Sequence, residues 1–251
     1  MCIDLRERAP LPKVPGSVWF DLHDGFAQHR PDRGLDYDLP SPKELAGTLS
    51  RAGATLDSEI VLADDAGNRR ATRAYWLLRY YGHCGPVSVL DGGLFAYFGS
   101  DRPTAADFAN PEPGDYPIPT TTDESIRATP TEILQGIEED RVVICDVRTA
   151  EEYQGEFALS GRGGHLPKAQ HVPWQDCLNP DGTFRSNQAL EQVLRPFISE
   201  GHQAITYCQG GIRASLTWFA LHVLLGRPSK LYAASWEEWA QRPELPVELA
   251  G

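Results

Sequence analysis

Among the side chains able to act as nucleophiles, Cys208 stands in the most specific setting. It lies in Ile205-Thr206-Tyr207-Cys208-Gln209-Gly210-Gly211-Ile212-Arg213-Ala214-Ser215. The apolar run ending at Tyr207 reads as a strand, and a helix is expected to begin near Arg213 and run through Leu216, Phe219, Ala220, Val223 and Leu224. That places the cysteine at the carboxyl end of a strand, where open α/β sheets carry their ligand sites. Gly210 and Gly211 allow the backbone to curl so that successive N–H groups point inward as an anion nest. The helix N-terminus beyond adds about half a positive charge. Such donors favour a thiolate over a thiol and would equally cradle a persulfide. Arg213 contributes a charge that does not titrate away. Cys208 is therefore the candidate nucleophile, and Gln209, Gly210, Gly211, Ile212 and Arg213 are the candidate substrate contacts.

The other four cysteines, Cys2, Cys84, Cys145 and Cys177, lack this setting and are read as free thiols, Cys145 as part of a buried strand. No cysteine pair has metal-ligand spacing and the seven histidines are scattered, so neither a metal nor an organic cofactor is expected. His165 and His171 are expected to shape a turn rather than act as bases. Trp236, near a loop end, fits a core position and a pocket wall equally well.

The elements that position Cys208 occur twice. Cys2-Ile3-Asp4-Leu5-Arg6 resembles Ile144-Cys145-Asp146-Val147-Arg148, an apolar strand ending in Asp-x-Arg. Ile60 to Asp64 corresponds to Ala204 to Cys208. Gly67 and Arg69 follow Asp64 at the offsets of Gly211 and Arg213 from Cys208, and Gly82 matches Gly226 in the same way. Between the copies Pro103, Pro111, Pro113, Pro117 and Pro119 mark an extended linker. The expected organisation is an α/β domain over 1–102, a proline-rich linker over 103–127 and a second α/β domain over 128–251. Each is expected to be a parallel sheet flanked by helices on both faces. Asp64 stands in the nucleophile's place in the first copy, and a carboxylate cannot do a thiolate's chemistry, so that domain is expected to be non-catalytic. Its front segment, Arg6 to Pro15, is much shorter than Arg148 to Pro167.

Length and composition agree with this. The chain has 251 residues, 41% of them hydrophobic, enough for ordinary cores. A net charge of −12 argues against a nucleic-acid partner. No apolar run approaches the ~18 residues of a membrane span. Met1 to Arg8 lack an apolar signal region, so the expected location is cytoplasmic.

The loop from Tyr207 to Ser215 resembles the active-site loop of the tandem-domain rhodanese family. Glu152-Tyr153 with Gly155, Gly164-His165-Leu166-Pro167-Lys168-Ala169-Gln170-His171, and Val89-Leu90-Asp91-Gly92-Gly93 resemble its other signatures. The likeness covers nearly the whole chain. It implies a sulfurtransferase with an inactive first and a catalytic second domain. The partners it implies are a small sulfur donor, thiosulfate or 3-mercaptopyruvate, and a thiophilic acceptor, cyanide or a thiol. Thiosulfate is the preferred donor. The loop departs from both common donor patterns of the family. Where some members carry a substrate arginine, this chain has Glu152, so Arg213, with Arg148 or Arg162, is expected to supply positive charge. Tyr232-Ala233-Ala234-Ser235 also departs from the family's usual turn. A cysteine phosphatase is disfavoured because only four residues separate Cys208 from Arg213, one fewer than a phosphate-sized loop needs. The alternative from another class is a sulfur-relay or binding module.

Overall fold

The computed structural model describes residues 1–7 and 12–249. Part of the shortened segment between Arg6 and Pro15, and Arg8 of the amino-terminal stretch, lie outside them. The strands in chain order are β1 (Cys2–Asp4), β2 (Ser17–Trp19), β3 (Gln28–Arg30), β4 (Leu35–Asp38), β5 (Ile60–Ala63), β6 (Val87–Val89), β7 (Val142–Asp146), β8 (Gln170–His171), β9 (Gln203–Tyr207) and β10 (Ser229–Leu231). The α-helices are α1 (Pro42–Arg51), α2 (Arg69–Tyr80), α3 (Gly93–Phe98), α4 (Pro130–Glu138), α5 (Ala150–Gln154), α6 (Asn187–Val193), α7 (Ile212–Phe219) and α8 (Ser235–Gln241). No helix among the described residues is long and apolar enough to cross a membrane.

Two four-stranded sheets have the same order, β2-β1-β5-β6 and β8-β7-β9-β10, and their pairings are parallel. Parallel strands covered by helices are buried on both faces, which explains near-continuous apolar runs such as Ile60-Val61-Leu62-Ala63. The helix starts are written locally. Ser41 and Glu44 form a reciprocal capping box before α1, with Pro42 in the first turn, and Thr129 with Glu132 does the same for α4.

The chain forms two compact units. The first comprises 1–28, 39–123 and 180–184, and the second 29–38, 124–179 and 185–251. Three details differ from the expected division, the first being that residues 180–184 group with the first unit. The proline-rich stretch is extended, but it is strapped along the first unit rather than free. Ala109 N donates to Ser17 O at 2.7 Å, Gly114 N to Ser50 O at 2.8 Å and Asp123 N to Tyr80 O at 2.8 Å. Residues 29–38, assigned by sequence to the first copy, group with the second unit.

The Asp-x-Arg signature forms the same clamp in both units. Arg6 Nε donates to both carboxylate oxygens of Asp4, and Arg148 Nε to both of Asp146, each pair being buried. Each arginine also reaches a carbonyl across the following loop, Arg6 that of Pro12 and Arg148 that of Gly164. Fully hydrogen-bonded pairs of this kind hold the strand ends in place, because removing one partner would leave a buried charge.

Candidate active site

Strand β9 delivers Cys208 to the carboxyl edge of the second sheet, and α7 leaves from the loop that follows. Cys208 is 1% exposed, and its Sγ accepts the amide of Gly211 at 3.1 Å. Gly211 has φ +82° and caps α7, a left-handed conformation that explains the glycine. Among the described residues the amides of Gly210, Ile212 and Arg213 meet no protein acceptor. Of the expected cradle from Gln209 to Arg213, the Gly211 amide is the one that donates to Cys208 Sγ.

Contacts from three other segments hold the loop. Cys208 N donates to Ser235 Oγ at 3.0 Å, and that hydroxyl donates to Tyr232 O at 2.8 Å. Trp236 N and Glu237 N, at the start of α8, donate to the carbonyls of Cys208 and Gln209 at 3.0 and 2.9 Å. Gln209 Nε2 reaches Ser160 Oγ at 2.6 Å. Gly210 is hemmed in: a Cβ there would stand 2.7 Å from Tyr37 Cδ2 and 3.0 Å from Glu237 Oε1. Tyr37 is held nearby by the β3–β4 excursion, where Asp36 N donates to Glu237 Oε2 at 3.0 Å and Gln241 Nε2 to Gly34 O at 2.9 Å.

Arg213 forms a bidentate pair with Glu152, at 2.6 and 2.8 Å. Glu152 is the third residue of α5 and also accepts the Thr149 amide at 3.0 Å. Burial alone would raise the Glu152 carboxyl, but the bonds from Arg213 and Thr149 hold it below the usual range. Burial disfavours the charged Arg213, yet Glu152 and Cys208 push its guanidinium above its ordinary value.

Arg148 was expected among the substrate contacts and is placed otherwise. It is 1% exposed, clamped to Asp146 and to Gly164 O, and stacked over Trp236 at 4.6 Å. These bonds tie it to the end of β7. Arg162 likewise donates to the carbonyls of Arg242 and Leu245. Trp236 is core, donating to Arg162 O at 3.0 Å. His165 stacks on Tyr153 at 3.9 Å and bonds Tyr153 O, and His171 bonds Arg148 O, so both shape the turn. Cys177 is buried, and burial pushes its thiol up to about 12; burial also raises Cys145.

The corresponding loop of the first unit shows what a filled nest looks like. The Asp64 carboxylate accepts four amides, those of Ala66 and Asn68 at 2.9 Å, Arg70 at 2.7 Å and Ala71 at 2.8 Å. Burial raises this carboxyl against the pull of those donors. The first cradle is thus occupied by its own side chain.

Sequence reasoning did not foresee Ser160, Ser235, Tyr37 or Glu237 beside the loop. For Ser235 a signal existed, its place after two alanines at a strand end. Tyr37 carried none, because only tertiary packing brings residues 29–38 to Gly210. Glu152 was visible as the third residue after Thr149, the spacing of a capping box, but its pairing with Arg213 was not.

Comparison with known proteins agrees with this geometry. The profile of the Rhodanese-like domain family matches residues 2–100 and 129–242. The sulfur carrier protein TtuD of Thermus thermophilus is 35% identical over 223 residues, 84% of this chain and 78% of that protein. The thiosulfate sulfurtransferase of Corynebacterium glutamicum is 30% identical over 245 residues, 94% and 79% of the two chains. Among solved structures, the 3-mercaptopyruvate sulfotransferase SseA of Escherichia coli superposes with a TM-score of 0.78 at 26% identity, covering 94% of this chain and 92% of that one. The Tum1 protein of Saccharomyces cerevisiae shares the fold, with a TM-score of 0.84 at 21% identity, covering 100% and 92%.

Proposed function

This chain belongs to the rhodanese-like domain family, and from that premise we propose a sulfurtransferase that moves sulfane sulfur through a persulfide on Cys208. The observation that carries the proposal is Cys208 Sγ at the carboxyl end of β9, accepting the Gly211 amide at 3.1 Å at the start of α7. In the first half-reaction the Cys208 thiolate attacks the outer sulfur of thiosulfate. A new S–S bond forms, the old one breaks, and sulfite leaves with the electron pair. The terminal sulfur of the persulfide carries the negative charge, which the amides from Gly210 to Arg213 stabilise. In the second half-reaction cyanide or a thiolate attacks that sulfur, the S–S bond to Cys208 breaks, and the thiolate is restored. Covalent storage of the sulfur implies ping-pong kinetics. The chemistry draws on sulfur's own polarisability, and the protein supplies position and donors.

Thiosulfate is the proposed donor, supported by a relative named for it. A second donor, 3-mercaptopyruvate, is supported by the likeness to SseA and would release pyruvate by the same attack. A relay reading, in which the persulfide is handed to a protein thiol, is supported by the likeness to TtuD. The test is thiocyanate formation from cyanide with each donor, beside a Cys208→Ser variant. Turnover with thiosulfate that is lost in the variant supports the proposal. Turnover with 3-mercaptopyruvate alone keeps the mechanism and changes the donor. Silence with both, from folded protein with reduced Cys208, favours the relay.

A further inference from the structure

The catalytic loop sits in a setting whose charges balance. Arg213 is matched by Glu152 in a two-bond pair, Arg148 by Asp146, and Arg162 lies on two carbonyls. The residue after the nucleophile, Gln209, is neutral and bonded to Ser160. On the far side of Gly210 stands another carboxylate, Glu237. A lone guanidinium beside the reacting sulfur would attract a dianion about twice as strongly as a monoanion. A carboxylate at hydrogen-bond distance cancels most of that field and leaves the backbone amides as the main attraction.

We propose that Glu152 is a specificity-determining residue. By neutralising Arg213 it weakens the binding of doubly charged donors and leaves the cradle suited to donors with one negative charge or none, such as a mercapto acid or an organic hydropersulfide. The inference rests on the sulfur-transfer reading above and deepens it: thiosulfate is accepted, but with its second charge unmatched. Glu152 acts through Arg213 and needs no contact with the donor.

The test compares wild type with Glu152→Gln, which removes the charge but keeps the shape, its one acceptor oxygen able to take the Thr149 amide and one Arg213 N–H in place of Oε2, while the second Arg213 bond is lost. The expected result is a KM for thiosulfate lower by about fivefold or more, with the KM for singly charged 3-mercaptopyruvate changing less than about twofold. Added salt should erase most of the gain. Equal shifts with both donors, or a thiosulfate KM that is unchanged or raised, would overturn the inference. A measurement on wild type alone guards against a variant that fails to fold. Its thiosulfate KM should vary little between about 0.02 and 0.2 M salt, and a steep rise would overturn the inference. The two layers separate by mass spectrometry. If Cys208 gains no sulfur from either donor in wild type, the sulfur-transfer reading falls and this inference with it. If the adduct forms and the KM shifts ignore donor charge, only the inference falls.

Discussion

Cys208 differs from the other buried cysteines in what surrounds its sulfur. Cys145 and Cys177 lie in packing where burial holds them as thiols, whereas Cys208 Sγ receives a backbone amide. Treatment with a donor should therefore add one sulfur atom to Cys208 and none to Cys145 or Cys177. Intact-mass analysis should show the adduct retained in Cys145→Ser and Cys177→Ser and absent in Cys208→Ser. Ser235 supplies the acceptor for the Cys208 amide from a backbone at φ +55°, unusual for a residue with a side chain. Ser235→Ala should cost about 1–3 kcal/mol in urea unfolding, because it strands a buried amide and keeps the strain. Ser235→Gly should cost less, because glycine adopts that backbone freely. Equal losses in the two variants would remove strain from the explanation.

At the scale of elements, both nests depend on an anion at the foot of a helix. In the first unit Asp64 fills that place at the start of α2 with four amide contacts. Asp64→Ala should destabilise the protein by at least about 3 kcal/mol, measured by urea unfolding, since several buried donors lose their acceptor together. A loss below about 1 kcal/mol would mean that the loop re-forms without it. In the second unit the loop is held from outside by α8, by Ser160 and by the β3–β4 excursion. Gly210→Ala should displace Tyr37 or Glu237 and lower sulfur-transfer activity severalfold, since both stand closer to a Cβ than packed atoms do. Unchanged kinetics would show that the excursion yields freely.

For the whole molecule, acid should be more damaging than mild alkali. Glu132 and Glu152 sit in capping boxes and ion pairs; burial would raise both carboxyls, but their hydrogen bonds bring them below the ordinary range. A carboxyl lowered in the folded state contributes stability that is fully present above its unfolded value of about 4.3 and is lost as pH falls through the folded value. Thermal unfolding should therefore give a plateau from about pH 6 to 8 and a decline beginning below about pH 4.3, shallower in Glu152→Gln. An identical acid decline in that variant would assign it to other carboxylates.

The sequence by itself determined the repeat and the parallel α/β class and singled out the candidate nucleophile, because each is a local pattern. Apolar strands ending in Asp-x-Arg, a cysteine before paired glycines and a helix period beyond them are set by residues within one turn or strand of each other. The Asp64 substitution marked the first copy as unlike the second in the same way. What tertiary structure alone decided is the charge and the walls of the site. Arg148 was legible as a cation near a strand end, but only packing shows it clamped to Asp146. Arg213 and Glu152, far apart in the chain, meet because β7 and β9 are neighbours in one sheet. Tyr37 reaches Gly210 because the β3–β4 excursion packs with the second unit. Hydrophobic periodicity and turn chemistry are written in short windows of sequence, whereas charge pairing depends on which distant segments the sheet brings side by side.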